Sequence, residues 1–260
     1  MNVYDMSLMM MRHVTDMLHG SATGGSTTTL IDTGNLDQDN EYWTKGTLWI
    51  KSGDHAGKVF KVTGHVGNTL TFATVVGAIA AGVRYSVARG LFPWEQQINA
   101  IQQALDLTWV TGYDGSLSGD GSTLEFTLPA GVSDVYDVRL GTRKAISTHW
   151  VERQGKLVFE SNRYAPYSGD VIHVYHQAQH DELTGYSSEI DAEINPRWLQ
   201  LEAAKNLLVW AASRYQKKPD LMLEERINLC MNGLKGKPMR LGGPVVRMKS
   251  GSAGVDRHAY

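Results

Sequence analysis

NPRWLQLEAAKNLLVWAASRYQ, residues 195–216, is the stretch whose reading decides how this chain folds. Asn195 is a strong N-cap residue, and Pro196 suits the first helical turn, where a missing N–H costs nothing. Trp198, Leu201, Ala204, Leu208, Ala211 and Tyr215 then follow at steps of three or four and draw one apolar stripe along a helix. Ala203, Leu207, Trp210 and Ala212 widen that stripe, so most of the circumference needs cover. Lys217, Lys218 and Pro219 predict its end, with charges that suit the negative pole and a ring that cannot continue the helix. A helix this apolar requires partners, and the rest of the chain is read as the supply of them.

Three further segments have helical spacing. Residues 2–19 place Tyr4, Leu8, Met11 and Leu18 on one side, with Val14 and Met17 beside them and Gly20 as the stop. Five methionines crowd this segment (Met6, Met9, Met10, Met11, Met17), which fits either core filling or an adaptable contact surface for a neighbouring subunit. Residues 92–108 open at Pro93 and repeat Trp94, Ile98, Ile101 and Leu105. Residues 220–232 carry a seam of Leu223, Ile227 and Cys230 that continues to Leu234.

The two long gaps between the first three helices are strand-rich. STTTLIDT, GTLWIKSG, KVFKVTG, NTLTFATVV and VRYSVAR fill residues 21–90, separated by turn formers such as Gly67-Asn68. Strands this short predict a small closed barrel or sandwich, with Trp43, Trp49, Phe60, Phe72 and Tyr85 as its core or rim. TLEFTL, VYDVRL, THWVER, KLVFE and DVIHVYH make a second group over about 113–176, with Gln154-Gly155 as a tight hairpin. The fold class is therefore α+β. A core of four helices (1–19, 92–109 and 187–236) carries two inserted antiparallel β modules (20–91 and 110–186), and residues 237–260 form an extended tail.

Composition sets further bounds. The 260 residues are 42% hydrophobic and 20% charged, with 27 Gly and 7 Pro, as expected of an ordered globular chain. A net charge of −2 carries no whole-chain sign of nucleic-acid binding. A single cysteine, Cys230, excludes an internal disulfide framework, and as a small apolar residue on a helix face it is ordinary. Charged residues interrupt the opening segment, and no stretch reaches the length of a membrane span, so the expectation is a soluble product made without export.

Catalytic and ligand motifs are few. His173, His176 and His180 give HxxHxxxH, but residues three apart in a strand face opposite ways and do not converge on one metal. YDGSLSGDGS at 113–122, read as a turn, matches a calcium loop only in composition. SATGGS at 21–26 follows a helix and precedes a strand, the reverse of a dinucleotide loop. No GxSxG, HExxH or Walker sequence is present. The expectation is a non-enzyme with no cofactor and no metal.

The order helix, β module, helix, β module, two helices, basic tail resembles the head–tail connector (adaptor) proteins of tailed bacteriophages. ATGGSTTTLIDT leading into YWTKGTLWIKSGDHAGKVFKVTGHVGNTLTF, then FPWEQQINAIQQAL, LPAGVSDVYDVRLG and the hairpin around WVERQGKLVFE carry the likeness, with the closing helices. The resemblance implies a ring of twelve subunits beneath the portal in the virion neck, made in the host cytoplasm. It also implies a downstream neck or tail protein as partner, passage of double-stranded DNA without sequence-specific binding, and no membrane. The tail would dock on the portal through Met239, Arg240, Leu241, Pro244, Val245, Val246, Arg247 and Met248. An extended segment with PVVRM at its middle is independently suited to strand addition on a partner sheet. Asp181, Glu182, Glu189, Asp191 and Glu193 lie in a run without Lys or Arg and would line a channel through which phosphates slide rather than bind. Two alternatives stand beside the connector: another neck, tail or baseplate component such as a stopper, and a carbohydrate-binding attachment protein using Tyr42, Trp43 and Trp49.

Overall fold

The computed structural model describes residues 1–15, 17–142, 145–214 and 221–240. They are mixed α and β, with four α-helices and antiparallel sheets, in two compact units: residues 1–108 with 181–240, and residues 109–180. Among the described residues no helix is long and apolar enough to cross a membrane.

In the first unit α1 (Val3–Val14), α2 (Trp94–Leu105) and α4 (Leu221–Leu234) all pack on α3 (Pro196–Arg214). Trp198, Leu199, Leu201, Ala203, Ala204, Leu207, Leu208 and Ala211 are buried around nearly its whole circumference, as its breadth of apolar positions demands. Glu202 is buried as well and pairs with Lys205 one turn on. Leu223 and Cys230 of the α4 seam are buried against this bundle. Met6, Met10 and Met11 of α1 are completely buried, which makes these three core residues.

The first helix is shorter than its periodicity predicts. It ends at Val14, and Gly20 is not its stop but part of β1 (Leu18–Ser21). The reason is long-range: β1 pairs antiparallel with β7 (Arg84–Ala88), and at Gly20 any side chain would run into the ring of Tyr85.

Between β1 and β7 the chain forms β2 (Gly24–Gly25), β3 (Thr29–Ile31), β4 (Thr47–Ile50), β5 (Val59–Val66) and β6 (Thr69–Phe72). The seven strands form one sheet in the order β1-β7-β4-β5-β6-β3-β2. Its two edges, β1 and β2, are consecutive in the chain with only Ala22 and Thr23 between them. The sheet must therefore curl until its edges approach within the span of two residues, a half-barrel rather than a flat sheet. A register shift between Val62 and Gly64 bends β5 where it passes from β4 to β6. Leu30, Leu36, Trp43, Leu48, Ile50, Val62, Leu70, Phe72, Tyr85 and Val87 fill the interior.

Side chains tie this sheet to the helices. The Tyr4 hydroxyl donates to the Ile50 carbonyl (2.8 Å), the Trp49 indole N–H donates to Ser7 Oγ (2.9 Å), and the Gln97 amide donates to Thr47 Oγ1 (3.0 Å). Burial, and then the neighbouring Asp5, push the Tyr4 hydroxyl up to about 12, so it remains a donor at any ordinary pH.

The second unit holds β8 (Val110–Ser118), β9 (Glu125–Thr127), β10 (Val135–Leu140), β11 (Ala145–Ser147), β12 (Trp150–Arg153), β13 (Lys156–Phe159) and β14 (Val171–Ala178). One sheet runs β11-β10-β14-β8 and a smaller one β12-β13-β9. Val135, Val138, Ile172 and Val174 from the first meet Trp150, Leu157 and Phe159 from the second in one shared core. The Gln154-Gly155 turn between β12 and β13 has positive φ at both residues (50° and 71°), the two-residue geometry that matches strand twist.

One expectation is corrected here. Residues 113–118 are not a turn but most of β8, which pairs with β14 along its length. Its Gly, Asp and Ser residues oppose strand formation locally, but the backbone ladder to β14 and the half-exposed face outweigh propensity.

Candidate functional site

The N-terminus of α3 is the best-defined polar constellation that the sequence pointed to. Asn195 Oδ1 accepts from the N–H groups of Arg197 (3.0 Å) and Trp198 (3.4 Å), capping the helix as its type and position predict. The same residue grips the start of the tail. Its Nδ2 donates to the Pro238 carbonyl (2.8 Å) and its backbone N–H donates to the Met239 carbonyl (2.9 Å). Ile194 and Arg240 form an antiparallel bridge, and the Arg240 guanidinium pairs with Glu193. Asn195 is buried, so these bonds are shielded from water.

Of the tail residues predicted to dock on a portal, Met239 and Arg240 are thus held against α3, with Met239 still exposed. Leu241, Pro244, Val245, Val246, Arg247 and Met248 lie outside the described residues.

The five acids of the 181–193 run differ in surroundings. Asp181, Glu182 and Asp191 are exposed. Glu189 pairs with the chain's own N-terminal ammonium (3.5 Å), and Glu193 is taken up by Arg240. Asp191 Oδ1 also accepts the Glu193 N–H (2.7 Å), which tightens the turn into α3. The run is anchored by backbone bonds from Val3 to Ser188 and from Tyr4 to Tyr186.

The histidines of β14 have structural partners. Both ring nitrogens of His173 are bonded, Nδ1 with the Tyr113 hydroxyl (2.8 Å) and Nε2 with the Gly141 carbonyl (3.1 Å). His176 lies over the bare backbone of Gly112 on the neighbouring strand, in space that any other residue there would occupy. Among the described residues no group of three His, Cys, Asp or Glu comes together. Asp114 and Asp120, the acids of the calcium-like stretch, bond to their own segments, Asp114 Oδ1 accepting from the N–H and hydroxyl of Ser116 within β8. Asp120 accepts from Thr123 Oγ1 and from the N–H groups of Thr123 and Ser122, which hold its carboxyl well below the usual range. Cys230 is buried, and burial pushes its thiol up, away from the reactive thiolate.

Trp49 is completely buried and Trp43 nearly so, its indole N–H donating to Gln38 Oε1 (2.8 Å). Of the three aromatics considered for glycan contact, Tyr42 alone is exposed, with the Arg89 guanidinium over its ring.

The sequence marked Asn195 as a cap but not as a clasp. Its tail partner Pro238 lies 43 residues away, with Met239 next to it, and no local period links them. The chain matches no known protein family, and comparison with curated proteins finds no match.

Proposed function

We propose that this protein is a non-catalytic structural component of a tailed-bacteriophage virion: a head–tail connector ring of twelve copies. It docks under the portal, extends the DNA channel and meets a neck or tail protein below. The observation that carries the reading is the order of elements, helix, β region, helix, β region, two helices and then the tail, with α3 at the centre of the helices. Two features support it. On α4, Met222 and Leu229 share one flank and Met231 lies on the other, and all three are more than half exposed, as apolar side chains covered in an assembly would be. The tail starts from a clasp at the first turn of α3, so a segment docked elsewhere would be anchored in the helical centre.

In this reading the segment 238–250 fastens the ring to the portal, held at 238–240 by its own clasp and docking by strand addition through the residues beyond, and its basic residues steer the encounter. The exposed Asp181, Glu182 and Asp191 face the passing duplex, and Glu189 and Glu193, in ion pairs with the N-terminal ammonium and Arg240, contribute less charge there than bare carboxylates. The test is co-assembly with the portal, followed by mass measurement and imaging of the particle. Twelvefold rings that fail to attach once residues 237–260 are deleted are expected. Unchanged attachment of the deletion removes the tail's role, and a ring of another symmetry favours a different neck or tail component. The glycan reading has lost two of its three aromatics to the core.

A further inference from the structure

A cleft of about 550 Å³ opens beside α1 on the first sheet, with His19, Lys51 and Arg84 in its walls. Arg12, in the last turn of α1, lies close enough for its charge to act on both His19 and Lys51. The Lys51 ammonium is 3.5 Å from His19 Nδ1, which also meets the Ser86 hydroxyl at 2.6 Å. An ammonium has only protons to give, so Nδ1 accepts and the ring N–H sits on Nε2. Among the described residues the cleft sets one carboxylate, Asp5, against these basic groups, and no ion pair joins it to any of them. The nearest buried acid, Asp32, lies behind Tyr85 and is occupied by the Tyr85 hydroxyl, the Asn35 amide and the Gly34 N–H. Burial, and then the neighbouring cations, hold both the Lys51 ammonium and the His19 ring below their ordinary values.

We propose that this cleft binds a phosphate group. A helix C-terminus accounts for Arg12 alone, since a cation there suits the dipole. It does not account for Lys51 and Arg84, neighbours across the end of the β4–β7 ladder that bring two further positive charges to the same cleft. A single carboxylate would satisfy one of these donors. A phosphate dianion offers three oxygens and two charges, which match guanidinium forks and an ammonium together. Bound there, it relieves the mutual repulsion of the cations. The inference does not depend on the connector reading.

The test uses the full chain and inorganic phosphate, followed by NMR of the His19 ring, against sodium chloride of equal ionic strength. A saturable shift with phosphate alone is expected, weakened about tenfold or more in Lys51→Gln/Arg84→Gln while the melting curve is kept. Should that double variant fold poorly, the exposed Arg12→Gln is read in the same way. A response equal to that in chloride, or one undiminished in the variants, overturns the proposal. A short DNA duplex that displaces phosphate, in a salt-dependent manner, identifies a nucleic-acid backbone as the source; phosphate binding without displacement identifies a small phosphorylated compound. Binding of a peptide spanning residues 181–194 with no binding of phosphate also overturns it, since the cleft would then serve protein carboxylates.

Discussion

In the first β region, strand β4 is buried on both faces. Leu48 and Ile50 point into the curled sheet, while Thr47 and Trp49 reach the other way to Gln97 and Ser7 on the helices. In the second region, β10 buries Val135 and Val138 in the core that its own two sheets share, and a bulge between Val135 and Asp137 lets residues three apart face the same side. The difference is visible in composition. A strand covered on both sides reads as an unbroken run such as TLWI, whereas a strand with one covered face spaces its apolar residues. The first region is therefore part of the helical structure, and the second builds its interior from its own strands.

The sharpest way to break this comparison is a pair of truncations. Trp49→Ala is expected to cost about 3–5 kcal/mol and to lower the midpoint of the helical signal in urea, because it removes a core ring and the indole N–H that donates to Ser7 Oγ on α1. Phe159→Ala, of similar cost by the same principle, should leave the helical midpoint in place. An unmoved helical transition in Trp49→Ala would show that sheet and helices are independent after all.

A smaller effect is expected at Tyr85, whose hydroxyl donates 2.9 Å to the buried Asp32 carboxylate. Tyr85→Phe should cost about 1.5–3 kcal/mol at neutral pH. Burial raises the Asp32 carboxyl, but the donors from Asn35, Gly34 and Tyr85 together outweigh it and hold the group below the ordinary aspartate value. Its contribution is therefore complete above that ordinary value and disappears as pH falls through the lowered one. Acid titration of stability should show this loss in the native chain and a weaker one in Tyr85→Phe.

His65 gives a change of opposite sign. It is completely buried, and neither ring nitrogen has a hydrogen-bond partner among the described residues. His65→Leu should stabilise the chain by about 1 kcal/mol, measured as a higher urea midpoint with an unchanged slope. The smallest effect belongs to the second region. Gln154 holds a positive φ of 50°, which asparagine tolerates better, so Gln154→Asn should gain about 0.5 kcal/mol or less in thermal unfolding.

What could be read in advance follows the range of the interaction. The cap at Asn195, the breadth of α3 and the Gln154-Gly155 turn are local, and each was legible from residues within a few positions. The end of α1 was not, because nothing between Thr15 and Leu18 forbids a helix; it stops where β1 finds β7, with Leu18 opposite Val87. Strand β8 was hidden for the same reason, its ladder to β14 overriding a turn-like composition. At the candidate site the acids of the 181–193 run stood out as a group. The pairing of Glu189 and Glu193 depends on the N-terminus and on the distant Arg240, which no spacing rule connects to them.

The clasp at Asn195 also has a mechanical meaning. Tension on the chain beyond Arg240 meets two hydrogen bonds and an ion pair before it reaches any loose loop, and it enters the protein at the first turn of the most enclosed helix. A tug on that end is thus transmitted along α3 to the three helices that surround it, so the bundle resists as one body instead of peeling from its last helix.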